Sequence, residues 1–552
     1  MITTTNIASH LPKMAKQQPD TWAVVLQAKH RQQTANYEQA LTYKQLDEAS
    51  NLVAAGLSAS GVNKGSRVVV MVKPGLDFFI LVFALFKIGA VLVAIDPGMG
   101  IKNLGKCLAE AEPDVFIGIA SAHFARMILR WGSSTIKHTI LVGKHPIFSL
   151  VMTTLNTIQQ KAKGQQFEFS ETRPEDIAAI LFTSGSTGIP KGVIYNHANF
   201  NAQVEALKQL YNIQPGEIDL ATFPLFALFA PALGMTSIIP VMDFTRPGDV
   251  NPEKIVDAVI DYQCTNMFGS PALLNRVGKH YQKLGIKLIS LKRVLSAGAP
   301  VSASILKTFS GLLNDDVQIF TPYGATESLP VSSIGSQEVI RETSELTAKG
   351  KGVCVGKIVE TIDVKIIGIT DKVISNCSDA NFLNSKEVGE ICVKGPQVTA
   401  AYYNREKQTH LAKIKTDDGF YHRIGDVGYI DDQGRLWYCG RKSQRIVTTS
   451  ETLYTECCEG IFNQHEAVYR TALVKVEQNS LIIPVICIEL ENQLSSEQQQ
   501  LLILDLKQLA NNNEMTKQIY HFFIHPAFPV DIRHNAKIAR EKLGEWAQAQ
   551  LR

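Results

Sequence analysis

Residues 66–98 alternate between two uninterrupted aliphatic runs, SRVVVMV and VLVAIDP, with the helical stretch LDFFILVFALFKIGA between them. A strand without polar alternation is covered on both faces, and two such strands joined by a helix pair in parallel. The pattern recurs at 114–143, where FIGIA and HTILVG flank a helix, and again at 254–269 and 286–298. No repeat of 20–50 residues appears, which excludes a solenoid. The expected class is α/β, with a large N-terminal body of parallel sheets. From about residue 350 short strands dominate (TIDVKIIGI, GEICVKG, RLWYCGR), which predicts a β subdomain over about 350–441. A further α/β pattern covers 442–552, enough for a small mobile C-terminal domain, with the polar KSQR at 442–445 as its hinge.

A chain of 552 residues needs two to four cores of this kind. Its 45% hydrophobic and 19% charged residues are those of a soluble globular protein. A net charge of +3, with no basic run, argues against nucleic-acid binding. Nine cysteines at irregular spacings read as reduced thiols of a cytoplasmic protein. The first twenty residues lack the apolar core of a signal peptide. Two apolar stretches are long enough to be mistaken for membrane spans. Residues 78–95 contain Lys87, and residues 220–242 contain Pro224, Pro231 and Pro240, so both are expected in the protein interior. That leaves no transmembrane segment and keeps peripheral membrane contact open.

The densest chemical signal is IAAILFTSGSTGIPKGVIYN at 177–196. Two strand-like runs enclose Thr183, Ser184, Gly185, Ser186, Thr187, Gly188, Ile189, Pro190 and Lys191. Glycines let a backbone approach a ligand, successive N–H groups form an anion nest, and Lys191 adds a point charge. The expected guest is a polyphosphate. The loop is not a Walker A motif, because Pro190 precedes the lysine and a strand follows it.

FTPYGATES, at 320–328, adds Tyr323, which can stack on adenine, with Gly324 beside it. Thr326 can donate to a phosphate, and Glu327 can hold Mg²⁺, which prefers hard oxygen ligands. In HRIGDVGYIDDQGRLWYCGRKSQR, Asp426 can accept from a ribose diol and Arg441 can bind ribose or phosphate. Phe223, Phe226 and Phe229, in TFPLFALFAPALG, offer an apolar lining, and FGSPALL offers a second wall at Phe268 and Gly269.

These strings resemble, in order, motifs of the adenylate-forming superfamily, which includes acyl-CoA synthetases, peptide-synthetase adenylation domains and firefly luciferase. The resemblance implies an AMP-binding adenylation domain over 1–441. It implies that LSAGAPV, with Gly298, Ala299 and Pro300, walls the adenine. It also implies that Lys537, in AKIAR near the C-terminus, offsets charge as a carboxylate attacks the α-phosphate of Mg·ATP. Ala536 stands where the family has glycine, and Ser450 appears where a glycine lines the thiol tunnel.

Within the superfamily, TFPLFALFAPALG, FGSPAL, TPYGATE and FPVDIRHNAKIAREKL are most similar to the β-lactone synthetases of bacterial long-chain olefin biosynthesis. That branch implies a long-chain 2-alkyl-3-hydroxy fatty acid as substrate, a β-lactone, AMP and pyrophosphate as products, and olefin-pathway enzymes as candidate partners. His197 is a candidate base for the 3-hydroxyl. Two alternatives stay open: an acyl-CoA or acyl-carrier ligase working through the same adenylate, and a catalytically silent nucleotide-binding partner in an assembly.

Overall fold

The computed structural model describes residues 5–29, 37–183, 190–223, 229–530 and 537–551. The stretch at 66–98 forms the strand Arg67–Met71, the helix Leu76–Lys87 and the strand Val91–Ile95, the two strands pairing in parallel. They sit in a seven-stranded sheet with Thr153–Thr154, His138–Leu141, Val115–Gly118, Ile177–Thr183 and Lys191–Asn196. Only the last pair is antiparallel.

The helix Leu76–Lys87 is buried from Phe78 onward, which explains why its sequence is apolar on every side. The one charge within that buried part is accommodated. The Lys87 ammonium donates to the Asp47 carboxylate, the Ser50 hydroxyl and the Asn51 amide oxygen, each at 2.7 Å, on the neighbouring helix Tyr43–Ala59. Burial nevertheless pulls its pKa down to about 8 against the attraction of Asp47. The other apolar stretch, 220–242, is divided among the strand ending at Ala221, the helix Phe229–Ala232 and the strand Thr236–Ile239. No helix among the described residues is long and apolar enough to cross a membrane.

The larger sheet has fourteen strands. Thr236–Ile239, Ile218–Ala221, Asn266–Phe268, Arg293–Leu295 and Gln318–Ala325 run parallel through its middle. From Ser328–Gly335 onward every pairing is antiparallel, through Val353–Ile358, Arg435–Arg441, Gly419–Ile430, Gly389–Lys394 and Asp363–Ile367. The strands after residue 350 are therefore continuous with the sheet of the body. Beyond Arg441, Val468–Gln478, Leu481–Leu490 and His521–Ile524 form a separate three-stranded sheet. Its two faces carry their own apolar clusters, one around Phe462, Ile486 and Leu506, the other around Val474, Phe528 and Leu543. All nine cysteines are free thiols, and eight are buried.

Phe79 is fully buried in the largest apolar cluster. Phe79→Ala removes a whole ring from that interior and is expected to cost about 3–5 kcal/mol. A urea titration followed by tryptophan fluorescence should show the midpoint fall accordingly.

Candidate active site

In open α/β sheets ligands bind at the carboxyl ends of the strands. One cavity of about 1290 Å³ lies there. Its walls include Met71, Ile95, Ile119, Leu181, Phe182, Phe223, Phe268 and Ala297, each at or just past the C-terminal end of a parallel strand from one of the two sheets. Residues from every chemical motif line it together: Lys191, Gly298, Gly324, Thr326, Glu327, Arg441 and Lys537.

The phosphate-loop residues Ser184, Gly185, Ser186, Thr187 and Gly188, and likewise Phe226, lie outside the described residues. The ends of that loop are placed. Thr183 pairs with Lys191 across an antiparallel hairpin, and the Lys191 ammonium lies 4.8 Å from the ring centroid of Tyr402. The same tyrosine donates its hydroxyl to a Glu327 carboxylate oxygen at 2.6 Å. Burial and the Glu327 charge both raise the pKa of the phenol, which keeps its proton for that bond. The main chain is tied here as well. Tyr403 N–H donates to Gly192 C=O, Ile194 N–H to Ala401 C=O, and Thr399 N–H to Glu327 C=O. Tyr195 donates its hydroxyl to the Thr326 carbonyl.

Tyr323 donates its hydroxyl to Asp426 at 2.7 Å, and the other carboxylate oxygen of Asp426 pairs with Arg441 at 2.8 Å. Asp426 and Arg441 face each other across the strands Gly419–Ile430 and Arg435–Arg441. The Asp426 carboxylate raises the Arg441 pKa further. Of these three, Arg441 lines the cavity, while Tyr323 and Asp426 stand behind its wall. The adenine-wall motif divides similarly. Gly298, in the left-handed region at φ +96°, lines the cavity, and Ala299 and Pro300 do not.

Phe223, Phe229 and Phe268 all line the apolar part of the cavity, with the rings of Phe223 and Phe268 6.0 Å apart. Gly269 is set back from the wall against Leu274. Sequence reasoning missed the opposite wall. Phe78, Val82, Phe83 and Phe86, from the helix Leu76–Lys87, also line the cavity. An all-round apolar helix gives no local sign that one stripe faces a chamber rather than the core.

His197 is not on the cavity wall. Its Nδ1 accepts from Ile7 N–H at 3.3 Å, its ring packs edge-on against Phe86, and burial holds its pKa down to about 4. These contacts give it a packing role. Lys537 lines the cavity, and Arg540, three residues on, donates its guanidinium to both carboxylate oxygens of Glu459 at 2.5 and 3.0 Å and to Gln444 at 3.2 Å. Ser450 is exposed, 3.5 Å from the Gln518 amide oxygen, and is not part of the cavity wall.

Comparison with known proteins agrees with this geometry. A family model for AMP-binding enzymes matches residues 11–403. This chain belongs to the AMP-binding enzyme family. It is 46% identical, over 99% of its length and 98% of the relative's, to an olefin β-lactone synthetase of Stenotrophomonas maltophilia. It is 44% identical, over 100% and 99%, to a protein of the same name from Xanthomonas campestris pv. campestris. Among solved structures, an amide bond synthetase, McbA, from Marinactinospora thermotolerans superposes with a TM-score of 0.79 at 19% identity, covering 98% of this chain and 99% of that one. The fold is thus that of adenylate-forming enzymes, and the protein is an AMP-forming ligase that uses ATP.

Behind Glu327 the enzyme carries a group that the motifs gave no hint of. Lys413 donates to the Thr399 carbonyl and lies 4.6 Å from the centroid of Phe420. Burial lowers its pKa to about 7, against the attraction of Glu327. His422, at the edge of the Tyr402 ring, is kept neutral by burial and by the nearby Lys413 and Lys191 charges. A lysine whose folded pKa lies below its unfolded value of 10.5 carries its full burial cost below about pH 7. That cost is relieved as the pH rises toward the unfolded value. Lys413→Met should therefore raise the melting temperature most at pH 6, with the gain shrinking by pH 9.5. Differential scanning fluorimetry across that range checks the trend.

Proposed function

We propose that the enzyme adenylates the carboxylate of a long-chain 2-alkyl-3-hydroxy fatty acid and then lets the substrate's own 3-hydroxyl displace AMP, giving a β-lactone. The observation that carries the reading is the shared cavity. Lys191, Thr326, Glu327, Arg441 and Lys537 line the same chamber as Phe83, Phe223, Phe229 and Phe268. Polar groups suited to a triphosphate and apolar walls suited to alkyl chains thus meet in one space. The names of the two 44–46% identical relatives support the lactone product.

In this reading the 183–191 loop and Lys191 hold the phosphates. Arg441 holds the ribose edge from the cavity wall, oriented from behind by Asp426, which Tyr323 fixes in turn, and Gly298 and Gly324 shape the adenine side, with Ala299 and Pro300 behind them. Glu327, its carboxylate steadied by Tyr402, suits Mg²⁺, which when bound offsets triphosphate charge. In the same reading Lys537, on the cavity wall, offsets charge as the carboxylate attacks the α-phosphate and pyrophosphate leaves. The 3-hydroxyl oxygen then attacks the acyl carbon, the bond to AMP breaks, and the hydroxyl proton leaves with the departing phosphate or to solvent. Holding nucleophile and acyl carbon in one molecule makes the attack unimolecular and removes the need for a second acceptor. No protein nucleophile is required. We assign residues 1–441 to the adenylating body and 442–552 to a small mobile domain that presents Lys537.

Purified enzyme is supplied with Mg·ATP and a 2-alkyl-3-hydroxy fatty acid, with and without coenzyme A. The expected product by NMR and mass spectrometry is β-lactone plus AMP, independent of coenzyme A. An adenylate that waits for coenzyme A and becomes a thioester overturns the lactone reading in favour of an acyl-CoA ligase. Lys537→Ala should slow pyrophosphate release about 10²–10³-fold, as loss of a transition-state charge partner does. Unchanged release would contradict its assignment.

A further inference from the structure

The helix Ala120–Leu129 turns its apolar side chains the wrong way for a soluble protein. Phe124 is 57% exposed and Ile128 63% exposed, with Met127 exposed beside them. They follow Ser121 at helical spacing on the solvent face. The short helix Phe148–Val151 adds Leu150 at 86% exposure, with Ile147 and Val151 on either side. The two helices are neighbours, because the His123 ring of the first lies edge-on to Phe148 of the second at 6.4 Å. Scattered exposed hydrophobic residues are ordinary, but six on two adjoining helices form a patch that calls for a partner.

Charge identifies the partner. From residue 115 to residue 167 the chain carries Arg126, Arg130, Lys137, Lys144, Lys161 and Lys163 and no Asp or Glu, although the whole chain has a net charge of only +3. Arg126 lies over the Phe116 ring and Lys137 pairs with Asp114, but Arg130, which closes the first helix, and Lys144, just before the second, are exposed. Apolar side chains flanked by exposed cations, on a helix too short to span a bilayer, fit the interface of a bilayer containing anionic lipid. The patch also adjoins the mouth of the cavity. Ser121, itself exposed, and Ala122 and Ala125 of the same helix line the cavity. We propose that this face seats the enzyme on an anionic membrane surface, with the cavity mouth beside Ser121 at the lipid boundary, so that a long-chain substrate enters from the bilayer rather than through water. Entry of a lipid substrate rests on the function proposed above; the membrane contact does not.

The test separates the two. Full-length enzyme, without nucleotide or fatty acid, is mixed with phosphatidylcholine vesicles that contain or lack phosphatidylglycerol, and the vesicles are floated on a density gradient. Wild type should float with the anionic vesicles and bind phosphatidylcholine alone about tenfold less. Phe124→Ser/Ile128→Ser/Leu150→Ser should abolish flotation, and Arg130→Glu/Lys144→Glu should weaken it on anionic vesicles only. All five side chains lie outside the cavity wall, so turnover of a short-chain detergent-free substrate should be unchanged in both variants. Turnover of vesicle-embedded substrate should fall in the triple variant. Wild type that stays with neither vesicle overturns the proposal, as does a triple variant that floats like wild type. A wild-type dimer in light scattering that the triple variant converts to monomer would assign the patch to a second copy of this chain and also overturn it. Failure of lactone formation with intact flotation would count against the function and leave the membrane contact standing.

Discussion

The Tyr402 hydroxyl holds the Glu327 carboxylate, and the Tyr402 ring lies beneath the Lys191 ammonium. Three distant parts of the chain meet in that contact. Lys191 belongs to the hairpin that ends the seven-stranded sheet, Glu327 to the turn between two strands of the larger sheet, and Tyr402 to the segment that bridges them through Val193. The backbone bonds of 401–403 to that hairpin fix the distance between the sheets. The cavity is the space left between their carboxyl ends. The one tyrosine engages the cation with its ring and the anion with its hydroxyl. Both remain on the cavity wall, available to an incoming ligand.

Two buried lysines show how differently the fold treats charge. Lys87 sits among the Asp47 carboxylate and three neutral oxygens and is held at a pKa of about 8. Lys413 has a carbonyl and a ring face close by, with Glu327 acting on it electrostatically, and falls to about 7. The first ends an apolar helix and locks it to its neighbour. The second lies behind the site, where its charge bears on Glu327 and His422. A local carboxylate favours the ammonium form, while burial with mainly neutral partners brings the amine within reach of neutral pH.

The parallel sheets were legible because strands covered on both faces leave unbroken apolar runs, as at 66–98 and 114–143. The glycine and hydroxyl motifs were legible because ligand contact demands small residues and fixed donors within a few positions of each other, as at 320–328. Other parts left no local trace. Tyr402 lies 75 residues from the carboxylate it holds, and nothing around it marks it as a partner of Glu327. The stretch 78–95 correctly read as buried, yet periodicity could not separate core from chamber wall when every face is apolar. At 286–298 an extended apolar run produced only the strand Arg293–Leu295, because parallel pairing there spans just three residues. His197 stood close to the phosphate loop in sequence, but the hairpin strand carries it to the far end, beside Ile7.

On the proposed reading the carboxylate, and not the hydroxyl, is activated by ATP within this cavity. A substrate labelled with ¹⁸O at both carboxylate oxygens tests it in a single turnover. Activation of the carboxylate followed by attack of the 3-hydroxyl on the acyl carbon predicts one label in AMP and one in the lactone carbonyl. Retention of both labels in the lactone, with unlabelled AMP, would mean that the hydroxyl was the activated group and would contradict the account.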